Sequence, residues 1–307
     1  MKKPLNIIIS LLIVLALLAF IYWLWQRQPK DLSEPPEKPS PQNQIVATKQ
    51  EDITISISPE DGNILESSDT TLTVKTTPNT FVAVISNSFA QIAKTDAAGL
   101  LEQDEKLDSG LNLIQISAFT ANFSKRVDKK IALYVKSQKN TTSAKLVLTG
   151  SVKNIFQKVI TLSTDSGEKK VNQDNATKIN YPSPPPGTTK SKNDQNIRVG
   201  DFLTVLGSEM SGDETTAQSI DIFRDNKPQI QTDIQIIKLL SNIKNNLFSA
   251  KIEEDNKIIE FSLDKDSVIS KEGQNTKDDA IKKDKKAIVV YHIEKDQKIV
   301  DLIYLLP

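Results

Sequence analysis

The sequence predicts a mainly β protein carried on one N-terminal transmembrane helix, with a β-sandwich followed by two small barrels. Three observations predict it. An apolar run fills residues 5–25. Short alternating segments then recur up to about residue 136, broken by turn residues at the spacing of roughly 8–12 that marks sandwiches. From about residue 145 onward, one order of strand-like segments runs through twice. A chain of 307 residues has room for two or three small domains at about 100–200 residues each.

The anchor comes first. Residues 5–25 read LNIIISLLIVLALLAFIYWLW. At about 1.5 Å per residue this run spans roughly 31 Å, which matches a hydrocarbon core of about 30 Å. Tyr22, Trp23 and Trp25 stand at its far end, as an interfacial aromatic belt requires. A cleaved signal peptide is the rival reading. It needs a shorter core and small residues at the cut, and here the core runs into Tyr, Trp and Arg27. Lys2 and Lys3 before the helix, with no second span predicted, favour an N-terminus inside and a body outside the cytoplasm. Residues 27–43 follow with five prolines, the composition of an extended, semi-rigid spacer.

Composition excludes several chemistries. The chain has 39 basic and 39 acidic residues, so it lacks the electrostatic footprint of a nucleic-acid binder. There is no Cys, hence no disulfide, thiolate nucleophile or Cys metal site. His292 is the one histidine, and a lone strand His is more often packed or surface-exposed than a ligand. Two SxxK strings, Ser166–Lys169 and Ser241–Lys244, lack the partner motifs of that chemistry. The carboxylate groups at 104–108, 253–255, 264–266 and 278–279 lie at predicted turns or beside lysines and read as solvated. No DxDxDG loop occurs, so no calcium site is expected. We expect no catalytic residue, no cofactor and no metal.

Within 44–138, Ile53, Ile55 and Ile57 alternate with polar residues, and Pro59–Gly62 forms a turn. Further alternation at Leu72/Val74, Val82/Val84, Ile114/Ile116 and Ile131/Leu133 supplies about seven strands. The strings SPEDG at 58–62, TPNTFVAVISN at 77–87, TDAAG at 95–99 and LDSGLNLIQISAF at 107–119 resemble the bacterial immunoglobulin-like domains of cell-surface proteins. The match is to turns and alternating strands and implies a sandwich, not an activity. Lys75 and Leu100 depart from it, standing where the family usually has Gly and an aromatic.

Segments 144–225 and 228–307 have matching parts. Each has a strand ladder leading to Thr177 or Ser267, then an insert, then a final hairpin. Five strands around a small core suggest a partly open barrel of OB-like shape. The unit resembles small β-barrel domains of unknown function in bacterial exported proteins; two unrelated mixed β-domains are the alternative. If the units are copies, Leu203 and Val205 are expected to match Ile288 and Val290, and Ile220 and Ile222 to match Val300 and Leu302. The insert 181–198 is Pro-rich, and loops of that length are usually functional or disordered. Tyr181, Pro184, Pro185 and Pro186 are its predicted partner contacts. The other insert, 271–284, is charged and is expected to hold one helical turn near Asp278.

Together these readings predict a single-pass membrane protein with its body outside the cytoplasm. Its expected role is non-enzymatic, in adhesion, scaffolding or envelope assembly. Its partners would be the membrane, other envelope proteins or cell-wall polymer, without nucleic acid. The second expectation is an accessory subunit or enzyme acting on envelope polysaccharide. Without an external Trp, sugar stacking would fall to Tyr134, Tyr181, Tyr291 or Tyr304.

Overall fold

The computed structural model describes residues 52–120, 122–137, 143–182, 196–210, 213–224 and 227–307. Among them, no helix is long and apolar enough to cross a membrane. The apolar run 5–25, the linker 27–43 and Pro184–Pro186 lie outside the described residues. The protein is mainly β, and residues 51–307 form one compact unit.

Eight strands open the fold: β1 (Ser56–Ser58), β2 (Ile64–Leu65), β3 (Asp69–Lys75), β4 (Phe81–Ile85), β5 (Ala90–Lys94), β6 (Leu100–Lys106), β7 (Gly110–Phe119) and β8 (Arg126–Val135). β1, β3 and β6 make one sheet; β2, β8, β7, β4 and β5, in that order, make the other. Ile57, Leu72, Val74, Val82, Val84, Ile114, Ile116 and Leu133 fill the core between them. Alternation explains this, because every second side chain of a strand faces one side. β4 breaks the pattern. All five of its residues are buried, so its second face is also covered.

The first barrel uses β9 (Leu146–Phe156), β10 (Val159–Thr164), β11 (Gly167–Asn172), β12 (Lys178–Asn180), β13 (Phe202–Glu209) and β14 (Glu214–Phe223). The second uses β15 (Thr232–Leu239), β16 (Leu247–Ile252), β17 (Ile258–Lys271), β18 (Gln274–Asn275), β19 (Lys286–Glu294) and β20 (Gln297–Leu305). The first ring closes in the order β9, β10, β11, β14, β13, with β11 and β14 parallel. The second closes as β15, β16, β17, β20, β19, with β17 and β20 parallel. The order and directions coincide. β17 joins in one long strand what β11 and β12 do separately; its register breaks between Leu263 and Val268.

A clasp marks the joint in both barrels. The Thr177 hydroxyl reaches Asp174 Oδ1 (3.0 Å) and the Ala217 carbonyl (3.0 Å), and it accepts the Asp174 amide (2.9 Å). Ser267 does the same with Asp264 Oδ1 (2.9 Å), the Val300 carbonyl (2.6 Å) and the Asp264 amide (2.8 Å). Asp-x-x-Ser/Thr thus pins the turn to the crossing strand in each copy. Ser267→Ala removes the donor to Val300 and is expected to cost about 1–2 kcal/mol. Urea unfolding checks it; an unchanged midpoint would mean that water replaces the hydroxyl.

The register corrects the expected pairing of the final hairpins. Leu203 pairs with Ile222, and Ala287 with Leu305; each last strand then skips one residue, Gln218 or Asp301. Aligned on these bulges, Leu203 and Val205 correspond to Ala287 and Val289, while Ile220 and Ile222 correspond to Ile303 and Leu305. The expected match of Leu203 and Val205 to Ile288 and Val290 is off by one. A one-residue slip moves a side chain to the opposite face. Ala287, Val289 and Tyr291 fill the second barrel, whereas Ile288, Val290 and Leu302 leave it. The charged insert does contain one 3-10 turn, Asp278–Ala280.

Those outward residues cover the second face of the five-stranded sheet. Phe81, Ala83, Ile85, Ile92 and Phe119 meet Ile234, Ile288, Val290, Leu302 and Tyr304 in one buried cluster. Phe81 meets Tyr304 edge-on, with centroids 5.6 Å apart. Arg126 donates to the Ile234 carbonyl at 2.7 Å. The first barrel sits on β8 and β7 of the same sheet through Val147, Leu206, Ala132 and Ala144. Val147 corresponds to Ile234, and Leu206 to Val290. Both barrels therefore dock with the same outer face, through β9 and β13 in the first and β15 and β19 in the second. Gly207 lies beside Leu206, where a Cβ would come within 2.3 Å of the Thr216 carbonyl oxygen; the second barrel carries Tyr291 there.

Candidate functional site

The second barrel places an ionisable pair where the first has a neutral one. The bulge in β20 makes Asp301 the extra residue, and bulges re-aim side chains. Its carboxylate lies 2.8 Å from His292 Nδ1 on β19. The corresponding residues of the first barrel are Ser208 and Gln218, whose side chains are 3.4 Å apart. On a common frame, one barrel thus has a hydroxyl–amide contact where the other has imidazole–carboxylate.

The pair lines a cleft of about 690 Å³ shared with the sandwich loop at Ser86–Ala90. Asn87 holds that loop to the barrel: its amide donates to the Gln229 carbonyl (3.1 Å), and its oxygen accepts the Gln231 amide (3.2 Å). Asp264, Asp266 and Val268 supply the far wall. Burial pushes the Asp301 carboxyl above its ordinary value, while the bond and charge of His292 pull it part of the way back. For Asp264 burial also pushes upward. Bonds from the Ser267 hydroxyl and the amides of Asp266 and Ser267, with the imidazole charge, outweigh it and hold this carboxyl low.

The arrangement can orient an imidazole and bind a hydroxyl-bearing or cationic group. It is not a completed nucleophile system among the described residues. Ser88 lines the cleft, but its hydroxyl contacts Ser86 at 3.2 Å, and among the described residues the imidazole of His292 is bonded to Asp301 and to no hydroxyl. Among the described residues no set of three His, Cys, Asp or Glu is placed to hold a metal. Replacing His292 by Ala is expected to move the Asp301 pKa further up, because burial then acts unopposed. Carboxyl-carbon NMR titration reads this directly, and a downward shift would contradict the pairing.

The residues expected to make contacts fare differently. Tyr181 is half-buried and packs against the core cluster of the first barrel. Tyr291 and Tyr304 are 5% exposed, and Tyr134 packs under the first barrel, so none of these three offers an open stacking face. Tyr291 instead donates to Asp233 at 2.9 Å; burial and then that bond push its phenol well above the ordinary range. Ser166 sits at the turn between β10 and β11, and Ser241 accepts the Ser249 amide, so neither SxxK string forms a lysine–serine pair. His292 stands out in the sequence as the one histidine, whereas its partner carries only a faint signal. The signal was the acid inside KIVDLIYLL, the only charged residue among eight otherwise apolar positions after Lys298.

No protein-family model and no curated protein matches the chain. One solved structure it is similar to is the Parabacteroides merdae beta-glucuronidase (GUS), with 12% identity and a TM-score of 0.27. The match covers 69% of this chain and 24% of that one, so the chain spans about a quarter of that protein. A likeness of this size carries nothing about fold or activity.

Proposed function

We propose that the protein is a non-enzymatic scaffold held outside the cytoplasm by residues 5–25, with a role in adhesion or envelope assembly. One observation carries the reading: two copies of one barrel are fixed to one sheet of the sandwich through the same outer face. Such docking makes a rigid platform and leaves loops and barrel ends free for partners. The strand order of the sandwich favours the immunoglobulin-like resemblance, and the ring order with its parallel closure favours an OB-like unit. On this reading the Pro-rich segment 27–43 spaces the platform from the bilayer.

Intact mass of the membrane-extracted protein tests the anchor: a mature N-terminus beyond residue 19 would remove it. External protease on whole cells should digest the body; complete protection would reverse the orientation. Crosslinking in cells followed by pull-down tests the scaffold role, which predicts envelope proteins or wall polymer in the eluate. The cleft at His292 favours a second reading, an accessory subunit or enzyme acting on envelope polysaccharide. Glycan turnover that depends on His292 would establish it over the first.

A further inference from the structure

β8 is flanked on one side only by the two-residue β2, which ends the five-stranded sheet, so only part of its outer edge is covered. Ala132 donates to Asp61 Oδ1 at 2.8 Å and accepts the Gly62 amide at 2.9 Å. Tyr134 and Lys136 donate to Asn63 and Leu65. Strand geometry has a period of two, so Asp128 and Lys130 point their backbone groups the same way as Ala132. β2 has ended by then, and the chain before it belongs to β1 in the other sheet. Asp128 and Lys130 have no backbone partner on that side among the described residues.

This bare stretch borders a trough of about 730 Å³ walled by Ser56, Ile57 and Glu60 on the sandwich and by Asp165 and Glu209 on the first barrel. It adjoins a second cleft of about 350 Å³ that shares Asp61, Lys130, Val147 and Asp165. The trough lining holds five carboxylates and three lysines. Arg126 offsets Asp128, and Asp213 offsets Lys169, which leaves four carboxylates against two lysines.

We propose that this edge is a docking site for an extended, basic peptide strand from a partner protein. The peptide adds to β8 beside Asp128 and Lys130, with the first barrel as the opposite wall. Backbone pairing supplies the binding, as in other strand-addition modes, and the acidic trough selects the partner's charge. The site names a partner chemistry for the platform and holds whether or not the chain is anchored. An outward Lys on a sheet edge is also a device that blocks strand pairing, and the test separates the two.

The probe is a fluorescein-labelled six-residue peptide of alternating lysine and valine, added to the full chain in non-ionic detergent. Anisotropy is expected to rise on binding. Methylating alternate backbone nitrogens of the peptide, or making Lys130→Pro, is expected to weaken binding by about tenfold or more. Pro removes the outward amide, which has no partner to lose among the described residues. Alternating glutamate and valine should bind less well than lysine and valine. Should Lys130→Pro fail to melt cooperatively, the methylated peptide on the unaltered chain decides alone. No binding at millimolar peptide, or equal binding of the methylated peptide, overturns the proposal and marks the edge as guarded.

Discussion

Replacing Ile116 with Asp is expected to abolish cooperative folding of the sandwich. Ile116 is fully buried on β7, the central strand, between β4 and β8, where it pairs with Val84 and Lys129. Its side chain belongs to the cluster that joins the two sheets. A carboxylate there has no water to meet, and the one cation opposite it, the half-buried Lys129, would have to give up solvent to pair with it. Its neighbours in the cluster are Leu72, Val74, Val82, Ile114 and Leu133. Burying an unpaired charge is among the few single changes that cost more than about 4–5 kcal/mol, comparable to a typical net stability of 5–15. Thermal melting followed by circular dichroism checks it. A melt at unchanged temperature would place Ile116 outside the core.

The same alternation that identified Ile116 shows how far the sequence could be read. Period-two patterning located the sandwich strands and the parallel course of the two C-terminal units. Thr177 and Ser267 stand out in the sequence as the ends of two matching strand ladders, whereas the Asp clasp they share is visible only in the structure. What failed was register. The skipped residues Gln218 and Asp301 carry no turn signal, yet each shifts the strand by one position. Docking was not legible either. β4 and β19 have near-continuous apolar runs, FVAVI and AIVV, which fit any strand buried on both faces. They do not say which element covers the second face. Tyr134, Tyr181, Tyr291 and Tyr304 show the same limit: each packs between or inside domains through contacts that a linear pattern does not contain. The His292–Asp301 pair needed the bulge, and hence the fold, to come together.

Ile288→Asp separates docking from barrel folding. Ile288 is fully buried, but on the outside of the second barrel, against Phe81, Phe119 and their neighbours on the sandwich. The adjacent Val289 is equally buried and faces inward with Phe248, Phe261 and Val300. Strand geometry therefore gives two neighbouring positions with the same exposure and different consequences. An Asp at 288 cannot remain in the seam unpaired, but undocking exposes it to water while leaving the barrel ring closed. The cost is then the lost seam, several kcal/mol at about 25 cal/mol per Å² of apolar surface. An Asp at 289 has no such escape, and the barrel itself must open. We expect Ile288→Asp to give two thermal transitions with hydrogen exchange raised along β4 and β5, while β16 and β17 stay protected. Val289→Asp should lose protection in β16 and β17 first. If both variants lose the barrel together, the seam and the barrel core are one cooperative unit, and the platform has no separable parts.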